Sequence, residues 1–314
     1  MSDNNSRNFT AGTLLVLATV IIWGVQFPIA KHTFETVDAF HSAIFRFSIP
    51  ALILMVVLVL REGWSALRTG PNTMKVFALG VMGMCAAPSL IFGGLMFTRP
   101  EIAAVIVATQ PLITVLVQRV MGGEKPGLVS LLCVGVAFLG VVTVVTRWQT
   151  NLDISTIEIA ANIMILTGAL VFVVYTIACA SFEHWTSLRL TTLCMLSGAA
   201  ANTLLVVILV TAGVLIQPSM NDWFQVRWEL LFLAIVGVLI AMFTWVIGAR
   251  RVGPLNAMLF INLIPVVTFT VRYWQGYRLE TIEIVGAIMV MAALSIQNLY
   301  MRMQLSKQSI GPLP

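Results

Sequence analysis

A few polar side chains interrupt long apolar stretches of this sequence, and they are its candidates for chemistry. Arg46 lies about eight residues inside one such stretch, which corresponds to roughly 12 Å at about 1.5 Å per residue in a helix. A guanidinium at that depth can bind an anionic group, such as a carboxylate, through two parallel hydrogen bonds. Two alternatives stay open: the side chain can reach back to the membrane surface, or it can pair with Glu101.

Two prolines lie in matching apolar stretches, each near an amide side chain. Gln110 precedes Pro111, and Asn262 lies one turn before Pro265. A proline inside a helix removes one backbone hydrogen bond and leaves a carbonyl group available in the preceding turn. The amides can therefore line a polar cavity, or they can bond across helices and hold the bundle together. Asn256 is expected nearer the helix end.

Aromatic residues form a second group of candidates. Trp23 and Phe27 share one face of a helix, and Gln26 is three residues from Trp23. An aromatic lining with a few polar anchors is typical of a ligand pocket. Packing or lipid contact is the alternative, and it is the better interpretation for Phe92 and Phe260. The remaining candidates for such a lining are Tyr175 and Trp245.

Acidic residues and histidines limit the chemistry. All thirteen Asp and Glu residues fall at the ends of apolar stretches or between them, so no carboxylate is placed to relay protons deep in a membrane. Of the histidines, only His41 lies just inside an apolar stretch. The sequence has no cluster of His, Asp and Glu for metal binding or catalysis, and no phosphate-binding glycine-rich loop. We therefore expect neither an enzyme nor a metal or other cofactor.

The elements that hold these residues are predicted to be membrane-spanning helices. The chain is 59% hydrophobic and only 10% charged, which indicates an integral membrane protein. Ten apolar stretches can each cross a hydrocarbon core of about 30 Å, and they lack the alternation of barrel strands, so an all-α fold is expected. The predicted spans are residues 11–31, 38–60, 74–97, 101–121, 128–146, 160–180, 188–213, 228–249, 254–273 and 281–302.

Positive charges predict the orientation. With the N-terminus inside, cytoplasmic segments carry eleven Lys and Arg residues and the opposite side carries six, which favours two cytoplasmic termini. The net charge of +5 is then mostly a topology signal, and no nucleic-acid partner is expected. The first stretch contains Pro28 and is predicted to be a span rather than a signal peptide.

The chain is internally duplicated. Pro111 and Pro265 are 154 residues apart, and with five spans per half the second half must enter the membrane in the opposite sense. Broken helices at corresponding places in inverted repeats point to a transporter's binding site. At the same offset Pro100, Ala103, Thr114 and Gly122 match Pro254, Ala257, Thr268 and Gly276, and at an offset of 152 Trp23 matches Tyr175. The predicted organisation is a tail (1–10), a five-helix repeat (11–146), a linker (147–159), a second five-helix repeat (160–302) and a second tail (303–314).

The sequence carries, in order, the motifs Trp23-Gly24, Phe27-Pro28-Ile29-Ala30-Lys31, Phe45-Arg46-Phe47, the Pro111 helix and Gly123-Glu124. This ordered set, over residues 11–302, resembles the drug/metabolite transporter superfamily, in particular its ten-helix EamA-type members. The resemblance implies export of small metabolites, often amino acids, from bacteria. Tyr277 departs from it, because the pattern has a Glu there, and this weakens any role for Glu124 beyond capping a helix.

The sequence therefore predicts an exporter of a small metabolite, an amino acid or a similar compound, working by alternating access in the bacterial inner membrane. Multidrug or nucleoside efflux stays an alternative, a polytopic membrane enzyme is less favoured, and a homodimer is left open. Pro111 and Pro265 are the predicted hinges. The predicted substrate-binding residues are Trp23, Gln26, Arg46, Phe92, Gln110, Tyr175, Trp245, Phe260 and Asn262.

Overall fold

The chain is built from helices. A computed structural model describes residues 2–121, 127–148, 155–182, 184–252 and 260–309, and all regular elements within those ranges are helical. The α-helices are α1 (Ser2–Thr33), α2 (Ala39–Glu62), α3 (Thr73–Gly80), α4 (Ala87–Leu95), α5 (Pro100–Ala108), α6 (Gln110–Val120), α7 (Leu128–Thr146), α8 (Thr156–Cys179), α9 (Ser187–Thr211), α10 (Met220–Gln225), α11 (Arg227–Leu231), α12 (Ala241–Val252), α13 (Ile264–Trp274) and α14 (Thr281–Ser309).

The apolar helices account for the predicted spans. Within the described ranges, eight helical stretches are long and apolar enough to cross a membrane, and α5 with α6 forms a ninth that bends by 42°. The other predicted span, 254–273, is described from residue 260 onward and contains most of α13. The predicted all-helical membrane fold is confirmed. Gly122, Gly123, Glu124, Pro254, Asn256 and Ala257 lie outside the described residues.

The first proline helix breaks at Thr109. Its N–H donates to the carbonyl of Ile106, three residues back, at 3.1 Å, and the N–H of Ile113 donates to the Thr109 carbonyl at 3.1 Å. Pro111 has no N–H and cannot continue the regular ladder across this point. One span is therefore divided into the two helices α5 and α6.

The second proline helix has the same hydrogen bonds 154 residues later. The N–H of Leu263 donates to the Phe260 carbonyl at 2.9 Å, and the N–H of Val267 donates to the Leu263 carbonyl at 3.0 Å. Pro265 takes the place that Pro111 has in the first half. The duplication predicted from sequence spacing thus extends to the backbone hydrogen bonds of the two breaks.

The third span of each half also carries a π-helical segment. The first is Val81–Ala86, between α3 and α4, and the second is Phe232–Ile240, between α11 and α12. The last residues of the two segments are 154 positions apart, which is the offset of the two prolines. π-Helical turns are rare overall, and those that occur are often found at functional sites. Their recurrence in both halves therefore makes the third span of each half a candidate for a functional role.

The described helices belong to two compact units, and each unit draws on both halves of the sequence. The first unit comprises Met1–Phe27, Arg99–Ser155 and Ala241–Pro314, and the second comprises Pro28–Thr98 and Thr156–Ile240. The repeat boundaries predicted from the sequence stay a prediction.

Small residues allow close helix packing inside each unit, as is common where helices associate in lipid. In the second unit α4 lies on α8, with Gly94 against the backbone of Ala161. In the first unit α7 lies on α14, and a Cβ built on Gly140 would lie 2.7 Å from the carbonyl oxygen of Gly286. No side chain fits at Gly140 without moving the helices apart.

A pair of glycine substitutions on α7 tests this packing. Gly140→Ala forces its new methyl group against the Gly286 carbonyl, and overpacking of this kind costs about 1–3 kcal/mol. Gly135→Ala is the control, because a Cβ there has nothing within 4 Å. We expect only Gly140→Ala to lower the free energy of unfolding, measured by denaturant titration in detergent. Equal stability of both variants would contradict the close crossing.

Candidate functional site

Arg46 is a buried cation on α2. The residue is 3% exposed, and its guanidinium carbon lies 3.7 Å from the centroid of the Phe92 ring. Nε has no hydrogen-bond partner, and no ion pair among the described residues includes Arg46. A desolvated cation over an aromatic ring gains about 2 kcal/mol, which is far less than the cost of burying an isolated charge. The guanidinium therefore calls for an anion.

The start of α2 is fixed by its N-cap. The carboxylate of Asp38 accepts the backbone N–H groups of Phe40 at 2.9 Å and of His41 at 3.0 Å, and its second oxygen bonds the His41 ring at 2.5 Å. The ring of Trp223 in α10 stacks at 4.8 Å on Phe45, the neighbour of Arg46. These contacts hold the two turns of α2 that carry Arg46.

Phe92 and Tyr175 are the other predicted site residues of the second unit. Phe92 is 7% exposed and contacts the edge of Phe34 at 6.2 Å, on the same unit as Arg46. Tyr175 is also buried, and a Cβ built on Gly83 would lie 2.5 Å from its ring. Since Gly83 belongs to the first π-helical segment, the glycine and the π-helical turn together make room for the Tyr175 ring.

In the first unit, Trp23 and Trp245 form an aromatic pair. Their ring centroids are 5.3 Å apart with a tilt of 39°. One turn before Trp23, the hydroxyl groups of Thr19 and Thr244 are hydrogen-bonded at 2.8 Å, which aligns α1 with α12. Phe260 and Trp245 both pack on the small core cluster formed by two buried valines. Trp23, Trp245 and Phe260, three of the residues predicted from the sequence, therefore lie close together within this unit.

The predicted amides differ in their surroundings. Gln110 is half-buried. Gln26 is 9% exposed, and its Oε1 finds no hydrogen-bond partner in the described part of the chain. Asn262 lies in the second helix break, where its Nδ2 donates to Ser295 Oγ at 3.4 Å while its Oδ1 is unpartnered among the residues described.

Sequence reasoning missed two amides, Gln297 and Asn298. They are 1% and 3% exposed, and one amide atom of each has no hydrogen-bond partner within the described ranges. The signal was present, because two adjacent amides in the last apolar stretch are as unusual as the ones that were selected.

The predicted hinge prolines sit at the helix breaks described above. Beside the second break, the hydroxyl of Thr268 donates to the Gly24 carbonyl at 2.8 Å. This bond joins α13 to α1 next to Trp23. The hinge role of Pro111 and Pro265 stays a prediction.

A charge network lies at one end of the first unit, where α5 and α14 begin and α7 ends. It consists of Arg99, Arg147, Tyr277, Glu280 and Glu283. Glu283 is completely buried and pairs with Arg99 and, at 2.9 Å, with Arg147. Arg147 also pairs with Glu280 at 2.8 Å, and Arg99 donates to the Tyr277 hydroxyl at 3.0 Å. Two cations and two carboxylates thus neutralise one another.

Two residues of the charge network are unusual. Arg147 caps α7 in the left-handed conformation, with φ of 49°, which costs a non-glycine residue free energy that its ion pairs offset. Burial raises the pKa of the Tyr277 hydroxyl above its ordinary value, so the hydroxyl stays neutral at physiological pH. The residue that departs from the family pattern therefore serves as a hydrogen-bonding link. Nearby in the chain, Glu101 pairs with Arg272 at 2.7 Å.

Comparisons with known proteins give the family. The chain matches the EamA-like transporter family over residues 10–146 and 159–299, which is most of its length. This chain belongs to the EamA-like transporter family. The identification is by two successive matches, one for each half of the chain, so the family relationship includes the duplication.

Relatives and a solved structure agree with this family. Among curated relatives are two proteins of Bacillus subtilis (strain 168) named as uncharacterized transporters. YrdR is 29% identical over 301 residues, covering 95% of this chain and 94% of that protein, and YyaM is 28% identical over 281 residues, covering 88% and 90%. A crystal structure aligns with a TM-score of 0.66 at 19% identity, over 94% of this chain and 99% of that chain, which supports the fold. The chain is a multi-pass membrane transporter.

Two carboxylates of this EamA-like transporter's charge network make a matched test. Glu283→Gln leaves two arginines facing a neutral group in a buried place, and breaking a buried pair costs about 3–5 kcal/mol. Glu280→Gln removes a carboxylate whose side chain is 42% exposed, which should cost about 1 kcal/mol or less. Thermal unfolding of the two purified variants measures the difference. If both unfold at the same temperature, the network does not depend on Glu283.

Proposed function

We propose that this EamA-like transporter exports a small metabolite bearing a carboxylate, an amino acid or an amino-acid-like compound, from the bacterial cytoplasm. The observation that carries the proposal is the buried guanidinium of Arg46, which has no ion-pair partner among the described residues. A fixed carboxylate beside it would give a permanent internal salt bridge. A mobile carboxylate, brought by the substrate, gives a binding site.

The geometry around Arg46 suits a carboxylate. The Phe92 ring covers one face of the guanidinium. The N–H groups of a guanidinium lie around its edge and in its plane, so ring contact on the face leaves those donors available. Two of them match the two oxygens of a carboxylate, and the pair is strengthened where water is excluded.

The first unit supports an organic, partly apolar substrate. The Trp23–Trp245 pair presents a half-buried aromatic surface, and Gln26, one turn from Trp23, has an unpartnered buried oxygen in the part of the chain that is described. Ligand pockets commonly combine apolar walls with a few polar atoms.

Transport is proposed to proceed by alternating access, with the helix breaks at Pro111 and Pro265 as the bending points and both termini in the cytoplasm. The sequence contains no nucleotide-binding motif to supply ATP energy. Glu101 and Glu283, the fully buried carboxylates of the first unit, are engaged in ion pairs at helix ends, which argues against a proton relay through them. Downhill export or exchange fits these observations.

Arg46 substitutions test the proposed function. In proteoliposomes, Arg46→Gln should raise the KM for amino-acid counterflow about 30-fold or more, because losing one partner of a buried charge pair costs about 2–5 kcal/mol. Arg46→Lys keeps the charge but not the two-donor edge and should be intermediate. The melting temperature should not fall, since the variant removes a buried charge that has no ion-pair partner among the described residues and whose burial lowers the stability of the fold.

Arg227→Gln is the matched control, since Arg227 also lies over an aromatic ring, Phe224 at 3.9 Å, but is exposed. It should leave the KM unchanged. Wild-type kinetics in Arg46→Gln, or failure of a broad amino-acid panel to exchange with wild-type protein, would refute the proposal.

A further inference from the structure

At the second helix break Asn262 contacts Ser295 of the last helix, and a third polar side chain, Asn298, lies one turn further along that helix. The Nδ2 of Asn262 is 3.4 Å from the Oγ of Ser295 in α14. Asn298 lies three residues after Ser295 and so shares its face of the helix, one turn further on. Asn262 and Asn298 are 5% and 3% exposed. We call these three residues the amide cluster; all of them belong to the first compact unit.

The amide cluster lies deep in the span. Asn262 precedes the end of α13 by twelve residues, and Ser295 follows the start of α14 by fourteen. At about 1.5 Å per residue both are roughly 18–21 Å from the connection between these helices, within a core of about 30 Å. Water from the membrane surface does not reach side chains at this depth unless a cavity admits it.

The burial of two atoms of the amide cluster is energetically unfavourable. Asn262 Oδ1 and Asn298 Nδ2 have no hydrogen-bond partner anywhere in the described ranges. A buried amide without partners loses free energy that a leucine of similar size would not lose. Asn202 shows how a structural amide looks in this protein: it is 1% exposed, and its Nδ2 donates to the Met84 carbonyl at 2.8 Å.

We propose that Asn262 and Asn298, supported by Ser295, form a polar subsite that hydrogen-bonds an uncharged donor and acceptor group of the substrate, an amide or a hydroxyl. This rests on the proposed function, because it takes the ligand to be the exported metabolite. Each asparagine amide offers both a donor and an acceptor, so the complementary group must offer both as well. The substrate class narrows to amino acids with amide or hydroxyl side chains.

The selectivity follows from the same unpaired atoms. A site built to hydrogen-bond a polar group leaves its own buried amides unpaired when an apolar analogue binds, and it rejects that analogue strongly. Glutamine and serine should therefore be preferred over norleucine and 2-aminobutyrate by about tenfold or more. The two pairs match the polar and apolar compounds in approximate size.

Leucine substitutions separate binding from packing. Asn298→Leu and Asn262→Leu should keep or raise the melting temperature of the purified protein, because each removes a buried amide atom that has no hydrogen-bond partner among the described residues. Asn262→Leu also removes the long 3.4 Å bond to Ser295, so Asn298→Leu is the cleaner of the two variants. In proteoliposomes they should raise the KM for glutamine and serine about tenfold or more and lower the KM for norleucine, because the amide that an apolar side chain leaves unpaired is gone. Asn202→Leu is the control: it breaks a formed hydrogen bond and should lower the melting temperature without changing the preference for polar substrates.

Three outcomes decide the proposal. Selective loss of glutamine and serine transport with unchanged stability supports it. A lower melting temperature with the wild-type preference retained would mean that the amides only pack the bundle, and the proposal falls while the proposed function stands. If the wild-type protein prefers the polar compounds but transports the corresponding amines, which lack the carboxylate, equally well, the subsite is supported and the proposed function is refuted.

Discussion

Hydrocarbon supplies no hydrogen bonds, so a polar or charged group inside the membrane must find its partner in the protein or in a ligand. This constraint accounts for the charge network, in which buried Glu283 holds Arg99 and Arg147. It accounts equally for Asn202, whose amide bonds a backbone carbonyl. Against that background, buried polar atoms without a partner among the described residues are the candidates for ligand contact, and Gln26 and Gln297 also have such atoms. Arg46 and the amides of Asn262 and Asn298 are buried, yet they have atoms without partners among the described residues.

The same constraint explains why the helix breaks are built so alike. Each proline lacks an N–H and so removes one hydrogen bond from its span. At each break a backbone N–H, of Thr109 in the first half and of Leu263 in the second, donates to the carbonyl three residues earlier. The threonine after each proline adds a side-chain bond, from Thr114 to the Gln110 carbonyl and from Thr268 to the Ile264 carbonyl. A break in lipid is stable only when its backbone groups are satisfied in this way. Duplication has therefore preserved the hydrogen bonds as well as the prolines.

Sequence alone predicted the spans, the duplication and the places of both breaks, because hydrophobic length and proline spacing are local properties. It also selected Trp23 and Trp245, which meet. It could not show that Arg46 lies on Phe92 with no acidic partner among the described residues, since partners come from other helices. The π-helical segments left no pattern in composition, and Asn298 was passed over because its burial depends on how α14 packs. Whether a buried polar side chain has a hydrogen-bond or ion-pair partner depends on tertiary packing, and this is the property used to separate structural polar residues from candidate binding residues.

The proposed function depends on the Arg46 guanidinium receiving the carboxylate of the substrate. Its most direct test is a thermodynamic cycle: the affinities of an amino acid and of its carboxamide are measured by calorimetry for the wild-type protein and for Arg46→Gln. We expect the wild-type protein to prefer the carboxylate by about 10- to 100-fold, because the pair is a charge-assisted hydrogen-bonded one, and we expect the preference to disappear in the variant. Equal affinities of the wild-type protein for the two compounds, or a preference that survives in Arg46→Gln, would contradict it.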